Sequence, residues 1–313
     1  MGCAARVLLH LTRRLPSLQT KEPMSDGLDV SVIVPAYNEQ DAVIGVLEDL
    51  DRVMRATGRT YEILLVDDGS TDETVQRSRT VEGVQVISHG QNRGTGAART
   101  TGVRAAKGRY LVNIDADDTY PVEAIPDLLD RLETCDMVIG ARTREAGTLR
   151  LLRSFAKETI RLLACYLTET RIPDLNSGLR AMRRELVEAY LPLLPNTHSW
   201  VSTITMAALS GGYHVEWLPI DYRKRIGRST FHPIRDTYNY LVLVIRSIMY
   251  FNPLKVFLPA SAFLFLTGFG KAIWDFVVHG PRVATATVMV ILAGVQLLAL
   301  GFLGDLVAKR GRV

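Results

Sequence analysis

Cysteine is scarce in this 313-residue chain, and its spacing excludes two common uses. Only Cys3, Cys135 and Cys165 are present, with no CxxC pair to suggest zinc and no even set to suggest a disulfide framework. A strong charge of either sign is also lacking, because the formal net charge is +4. That charge is too small to predict nucleic-acid binding, although it suits contact with anionic lipid or phosphorylated molecules. A reducing, cytoplasmic setting is expected for the water-exposed part.

The first 28 residues have no apolar run long enough for a signal peptide. We expect 1–28 to be a disordered leader. Lipidation is the alternative, since Gly2 and Cys3 suit it, but Arg6 stands where a myristoylation signal has Ser or Thr.

Long apolar runs appear near the C-terminus. The stretch 283–303 has no charged residue, and 254–278 has few. Among these few are Lys271 and Asp275, which lie four apart on one helical face and could pair with each other or snorkel to the membrane surface. Each stretch is long enough to cross a bilayer. Residues 253–308 are therefore predicted to form a transmembrane hairpin, with spans at about 254–278 and 283–304; a buried core hairpin is the alternative.

Basic residues lie on one side of these spans. The turn between the spans carries only Arg282, whereas the outer flanks carry Arg223, Lys224, Arg225, Arg228, Arg235, Arg246, Lys255, Lys309, Arg310 and Arg312. The positive-inside rule then places the N-terminal domain in the cytoplasm. Residues 233–252 read as an interfacial amphipathic helix, with an ordinary domain helix as the alternative, and 309–313 as a basic tail.

Short β-branched runs alternate with helical patterns between Val30 and Gly140. The runs are VSVIVP, EILLV, VQVI, YLVNI and DMVIG. This alternation predicts an α/β domain over 29–232, with a mostly parallel sheet covered on both faces. Ligands of such sheets bind outside the carboxyl ends of the strands.

Polar clusters follow three of those runs, at 35–39, 67–70 and 115–118. Acidic clusters at one sheet edge would repel each other without a cation, which predicts a metal–nucleotide site. Asp115 and Asp117 are its sharpest element, because alternate residues leaving a strand can place one carboxylate on a metal and the other on ribose or on the metal too. Carboxylate oxygens favour Mg²⁺ or Mn²⁺. Either Asp67 or Asp68 is expected to face the ligand.

Gly94-Thr95-Gly96 resembles part of a dinucleotide-binding fingerprint. It follows the third predicted strand rather than the first, and the third glycine is not at the required spacing. We therefore expect a tight turn into a helix.

The blocks SVIVPAYNE, ILLVDDGSTDET, NRGTGAARTTG, YLVNIDADDTYP and DMVIGAR together resemble the family 2 glycosyltransferases with the GT-A (Rossmann-like) fold. NSGLRAMRRE, RKRIGRST and AGVQLLALGFLGDL resemble later blocks of the dolichyl- and polyprenyl-phosphate sugar synthases, including the two-span bactoprenol glucosyltransferase type. The resemblance covers about 29–308. It implies inverting transfer of a sugar from a GDP- or UDP-linked donor to polyprenyl (dolichyl or undecaprenyl) phosphate, with Mg²⁺ or Mn²⁺ as cofactor.

The resemblance also implies roles for single positions. Nucleotide-sugar binding falls to Pro35, Tyr37, Glu39, Val66, Asp68, Asp115, Ala116 and Asp117. The catalytic set is Asp115, Asp117 and Arg142, of which Asp115 and Asp117 hold the metal. Arg142, Arg225 and Ser229 would face the acceptor phosphate.

Two positions depart from the pattern of this subgroup. Thr119 stands where dolichol-phosphate mannose synthases often have a glutamine metal ligand, and Thr230 replaces a usual lysine. Lys224, Arg225 and Arg228 could supply the missing charge.

A family 2 transferase that acts on a glycan or another lipid acceptor is the alternative function. A processive polysaccharide synthase would need a QxxRW-type motif, which the sequence lacks. A nucleotidyltransferase and an inactive scaffold of the same fold are further alternatives. The expected partners are a nucleotide-sugar, polyprenyl phosphate and the membrane, without nucleic acid; a homo-oligomer stays open, because membrane hairpins often self-associate.

Overall fold

The computed structural model describes residues 27–143, 162, 165, 170–223, 253–281 and 284–310. Several predictions fall wholly or largely outside these residues: the leader 1–28, the interfacial helix 233–252, the tail 309–313, and the acceptor residues Arg225 and Ser229. They stay predictions.

Seven strands form one sheet in the order β3-β2-β1-β4-β6-β5-β7. Their bounds are β1 (Val30–Ala36), β2 (Tyr61–Asp67), β3 (Val84–Ser88), β4 (Tyr110–Asn113), β5 (Met137–Arg142), β6 (Arg180–Arg183) and β7 (Val215–Ile220). The pairings are parallel except those that β6 makes with β4 and β5. The mostly parallel α/β sheet is confirmed. The predicted runs did not include β6 and β7, because β6 is four residues with arginine at both ends and β7 contains Pro219.

Helices cover both faces of the sheet, as predicted. They are α1 (Val43–Ala56), α2 (Thr74–Ser78), α3 (Thr95–Ala105), α4 (Ile125–Arg131, after a 3₁₀ turn at Val122–Ala124), α5 (Arg184–Tyr190), α6 (Trp200–Ser210), α7 (Leu254–His279) and α8 (Thr285–Arg310). On one face, apolar residues of α1 and α4 such as Leu47 and Leu129 pack with Val32. On the other, Val103 of α3 and Trp200 of α6 pack with Ile33.

Helices α7 and α8 are the two long apolar helices that the sequence predicts. Each has 26 residues, and only 11% and 17% of their most apolar windows are buried. A core hairpin would instead bury most of those side chains, so the buried alternative is not supported. Gly268 lies against Ile291, and Gly301 against Phe257, which lets the two helices approach closely.

A polar cluster joins the two helices beside their turn. Asp275 Oδ1 accepts a hydrogen bond from Lys271 Nζ (3.0 Å), so the structure shows pairing, one of the two possibilities that the sequence left open for these residues. Its other oxygen accepts from Thr287 Oγ1 (2.5 Å) and from the backbone N–H of Ala284 (3.2 Å). Asp275 therefore ties α7 to the beginning of α8.

Candidate functional site: the carboxyl edge of the sheet

The three polar clusters meet at one edge of the sheet, as predicted. Strands β1 and β2 run parallel with Ala36 opposite Asp67. Strand β4 lies on the other side of β1, and Ile114, just after it, donates its N–H to the carbonyl of Ile33 (3.2 Å). The residues that follow β1, β2 and β4 therefore line one edge, where parallel sheets bind ligands.

The loops after β1 and β2 are joined by hydrogen bonds. The Asn38 N–H donates to Ser70 Oγ (2.9 Å), and the Thr71 N–H donates to Asn38 Oδ1 (2.8 Å). The Glu39 N–H donates to Thr74 Oγ1 (2.9 Å). Asn38 has a φ of 56°, a left-handed conformation that asparagine tolerates. These bonds fix the shape of the loops that carry the predicted nucleoside-binding residues.

The predicted nucleoside-binding residues lie close together. Pro35 of β1 and Val66 of β2 face each other across the ladder and are buried. Tyr37 is exposed beyond the end of β1, and Glu39 is half-buried. The structure thus brings four of the predicted positions to one corner of the edge.

Asp67 and Asp68 are both buried, and each carboxylate accepts hydrogen bonds from the protein. Asp67 accepts from the backbone N–H groups of Gly69 (3.3 Å) and Ser70 (3.0 Å). The sequence left open which of the two faces a ligand, and here neither is turned to solvent.

Asp68 organises the loop that follows β3. It accepts from the N–H groups of Arg93 (2.9 Å) and Gly94 (2.7 Å), and it bonds His89 Nδ1 (2.8 Å). Gly94 has a φ of 98°, so the tight turn predicted at Gly94-Thr95-Gly96 is confirmed. The role of Asp68 toward the nucleoside stays a prediction.

Asp115 and Asp117 follow β4 and differ in their surroundings. The Asp115 side chain is 31% exposed, and its Oδ1 pairs with Nη2 of the buried Arg99 of α3 (2.5 Å). Asp117 is buried, and its Oδ1 accepts from the hydroxyl (2.6 Å) and the N–H (3.2 Å) of Thr119. Thr119, which stands at the position of the usual glutamine, therefore orients the Asp117 carboxylate.

Asp115 and Asp117 are the carboxylates at this edge that could hold Mg²⁺ or Mn²⁺. Within the described ranges, no group of three or more His, Cys, Asp or Glu side chains is placed to hold a metal. Mg²⁺ is commonly held by one or two carboxylates, with substrate phosphates and water completing its shell. The donor set at Asp115 and Asp117 suits an ion of that kind.

Gly178 packs directly against Asp115. A Cβ at this position would overlap Asp115 Oδ2, so only glycine leaves the carboxylate where it is. The Gly178 N–H donates to the hydroxyl of the buried Tyr120 (2.7 Å). This bond fixes the glycine beside residues 115–119, the acidic loop that follows β4. Asp115 is thus held by Arg99 on one oxygen and confined by Gly178 at the other.

Arg142 lies at the end of β5 in a buried ion pair. Its Nε and Nη2 donate to Asp174 Oδ2 (2.6 Å) and Oδ1 (2.9 Å), so the ion pair is bidentate. Its guanidinium also lies over the ring of Tyr222, 5.4 Å from the centroid. Burial alone would raise the pKa of Asp174, but the hydrogen bonds and charge of Arg142 lower it. The acceptor role of Arg142 stays a prediction.

The segment after β7 is attached to the acidic loop. The Arg223 N–H donates to the Thr119 carbonyl (2.9 Å), and its guanidinium pairs with Asp118 (3.3 Å) and Glu123 (3.2 Å). Tyr222 makes an edge-on contact with Tyr120. The chain that leads on to Arg225 and Ser229 therefore starts beside Asp117.

Sequence reasoning missed four residues of this edge: Arg99, Asp174, Gly178 and Tyr222. Gly178 lies within the block NSGLRAMRRE, which is recognisable in the sequence, but the sequence does not show that this glycine contacts Asp115. Arg99 gave no signal that set it apart, because the same helix also carries Arg104.

Comparison with known families agrees with this geometry. Residues 31–191 match the model of Glycosyl transferase family 2, which is about half of the chain. The chain belongs to that family. Residues 252–309 of this family 2 transferase match a second model, the GtrB C-terminal hairpin, which coincides with α7 and α8. The predicted family and the predicted pair of apolar C-terminal helices are both confirmed.

Two relatives of this chain are transferases named for a polyprenyl phosphate. A dolichyl-phosphate hexose transferase of Haloferax volcanii is 34% identical over 66% of this chain and 87% of its own length. An undecaprenyl-phosphate 4-deoxy-4-formamido-L-arabinose transferase of Klebsiella pneumoniae is 27% identical over 90% of this chain and 88% of its own. Both are named for sugar transfer involving a polyprenyl phosphate.

Solved structures support the GT-A-like fold. Glucosyl-3-phosphoglycerate synthase from Mycobacterium tuberculosis, in complex with Mn²⁺, UDP and phosphoglyceric acid, aligns with a TM-score of 0.57 at 23% identity, over 71% of this chain and 78% of its own. Another structure of that enzyme holds Mg²⁺ and UDP. The family 2 transferase thus shares its fold with an enzyme crystallised with either ion.

Replacing Gly178 with alanine should displace the Asp115 carboxylate. We expect turnover to fall by roughly tenfold, because small shifts of groups around a metal site have effects of that order. Steady-state kinetics of the full-length protein in detergent provide the measurement. Gly45→Ala is the control, since a Cβ at the exposed Gly45 meets nothing within 4 Å. Normal turnover in Gly178→Ala would contradict the arrangement.

Proposed function

We propose that this chain transfers a sugar from a GDP- or UDP-linked donor to polyprenyl phosphate, with inversion at the anomeric carbon. The observation that carries the proposal is the combination, on one chain, of an Asp115–Asp117 site at the sheet edge with a hairpin of two exposed apolar helices. The names of the relatives agree with a lipid phosphate as the acceptor.

The donor would lie across the ends of β1, β2 and β4. Pro35, Tyr37, Glu39 and Val66 would hold the nucleoside, with Asp68 shaping the loop beside them. Asp115, Ala116 and Asp117 would face ribose and diphosphate, and Asp117 with Asp115 would hold Mg²⁺ or Mn²⁺. Such an ion, when bound, neutralises charge on the leaving diphosphate.

The acceptor would approach from the side of Arg142 and the segment after β7. Arg225 is two residues beyond Arg223, so the covalent chain keeps their Cα atoms within about 7 Å. Because Arg223 is bonded to the acidic loop, that distance supports placing Arg225 near the reacting groups. Arg142, Arg225 and Ser229 would then contact the lipid phosphate.

The chemistry suits such a site. A phosphate monoester has a second pKa of about 6, so the lipid phosphate is largely a dianion at neutral pH and is already a nucleophile. Its oxygen attacks the anomeric carbon as the bond to the diphosphate breaks, and the nucleoside diphosphate leaves with the electron pair. No proton has to be removed, so the protein's task is to bring two anions together.

Asp117→Asn tests the donor site. We expect transfer to fall by more than about 100-fold, because the variant loses a charged metal ligand. The assay incubates full-length protein with polyprenyl phosphate, GDP- and UDP-sugars, and Mg²⁺ or Mn²⁺, and detects glycolipid by mass spectrometry. Asp49→Asn on the exposed face of α1 is the control. Near-normal transfer by Asp117→Asn would remove Asp117 from the site, and glycosylation of a glycan but not of the lipid would favour the alternative acceptor.

Arg225→Ala tests the acceptor site. Loss of one charge-assisted bond costs about 2 kcal/mol, so the KM for polyprenyl phosphate should rise roughly thirtyfold, with donor affinity unchanged. Arg104→Ala on the exposed side of α3 is the matched control. If Arg225 only docks the domain on anionic lipid, the detergent-solubilised variant will show normal acceptor kinetics, and the assignment is wrong.

We propose that the catalytic domain is cytoplasmic, from the positive charge that flanks the hairpin. Single cysteines introduced near Lys309 and near His279 report this orientation in intact cells. An impermeant reagent should label the His279 turn and leave the position near Lys309 protected. The opposite labelling pattern would overturn the orientation.

A further inference from the structure

Two buried arginines, Arg99 and Arg180, lie beneath the acidic loop. The proposed function gives a role to their neighbour Asp115 but none to the arginines themselves. Arg99 is 4% exposed and Arg180 is completely buried. Arg99 pairs with Asp115, whereas Arg180 donates to neutral oxygens: the Ser177 carbonyl (2.5 Å), the Val201 carbonyl (2.8 Å) and Thr205 Oγ1 (3.1 Å). A buried cation without a carboxylate partner is costly for stability.

The electrostatics show that cost. Burial, with a smaller contribution from the charge of Arg99, lowers the pKa of Arg180 to about 9. The two guanidinium groups therefore lie close enough to repel each other. Replacing such groups with apolar side chains often stabilises a protein, so stability alone does not account for the pair.

Unpartnered polar atoms mark the same place. Across the described ranges, the buried side-chain atoms without a hydrogen-bond partner are Arg99 Nε, Arg180 Nε, and Nδ2 and Oδ1 of Asn113. Asn113 lies opposite Arg180 in the β4–β6 ladder, two residues before Asp115. Unsatisfied buried groups are rare in folded proteins, and here all four belong to three residues beneath one carboxylate.

Neighbouring arginines do not share these features. Arg183 donates to carbonyls after α4, and Arg184 donates to the Gly108 carbonyl, just before β4 and so at the opposite edge of the sheet. Their side chains are 23% and 22% exposed. Both are explained as groups that satisfy backbone carbonyls. Arg99 and Arg180 differ in their burial and in lying under the site.

We propose that Arg99 is a positioning residue that holds the Asp115 carboxylate in place, aimed at the metal and donor, with Arg180 supporting it from below. Arg180 also bonds the Ser177 carbonyl, so it secures Gly178 against Asp115 from the other side. The carboxylate is thus placed before the donor arrives, which is how a site avoids reorganising during reaction. This inference rests on the proposed donor site but not on the lipid acceptor.

The test measures binding of Mn²⁺ with GDP, and separately with UDP, to full-length protein in detergent by calorimetry. Arg99→Gln should weaken the binding of Mn²⁺ together with the preferred nucleotide, GDP or UDP, by roughly tenfold. Losses of that size are usual for groups that orient metal ligands. Arg99→Lys, which keeps the charge, should recover part of the loss. Arg184→Gln is the matched control and should bind as wild type, because Arg184 lies at the other edge of the sheet.

A double-mutant cycle separates positioning from a general structural role. If Arg99 acts through Asp115, Arg99→Gln should cost less than about twofold in an Asp115→Asn background. Equal losses in both backgrounds, or wild-type binding by Arg99→Gln, would overturn the proposal. If Arg99→Gln does not fold, Arg99→Lys is carried through the same cycle and decides it.

The outcomes also separate this inference from the proposed function. Wild-type protein that binds the nucleoside diphosphate with Mn²⁺ but forms no glycolipid contradicts the lipid acceptor alone, and the cycle still judges Arg99. Wild-type protein that binds neither GDP nor UDP with Mn²⁺ contradicts both.

Discussion

Negative charge gathered at one edge of a parallel sheet is the constraint on which this site depends. The carboxylates after β2 and β4 would repel each other, yet each has a protein partner: backbone N–H groups for Asp67 and Asp68, Arg99 for Asp115, and Thr119 for Asp117. The protein therefore offsets much of the repulsion itself. Asp115 keeps the most exposed carboxylate of the four, in a position fixed from two sides.

The same edge connects the proposed donor site with the proposed acceptor side. Arg142 is held by Asp174. Four residues further along the chain, Gly178 packs against Asp115. Arg223 bonds the acidic loop at the start of the chain that leads to the hairpin. We infer that donor and acceptor groups are placed relative to each other by packing within the domain, while the hairpin keeps the domain at the membrane.

The sequence was informative about the strands, the edge and the hairpin, because each of these leaves a local pattern. Five apolar runs, three acidic clusters and two long apolar stretches are legible without tertiary contacts. It was not informative about Arg99, Asp174 or Gly178. The Arg142–Asp174 pair joins residues 32 positions apart, and Gly178 meets a carboxylate from another strand, so neither shows as a local spacing. Thr119 looked like a lost ligand and proves to orient Asp117.

The central claim is that the nucleophile is a lipid phosphate that needs no general base. Its most direct test offers the purified protein polyprenyl phosphate and the corresponding polyprenol, side by side, with a donor sugar and Mn²⁺. Both have the same chain, but only the phosphate is already anionic at neutral pH. The account predicts glycosylation of polyprenyl phosphate and none of polyprenol. Comparable glycosylation of the alcohol would contradict it.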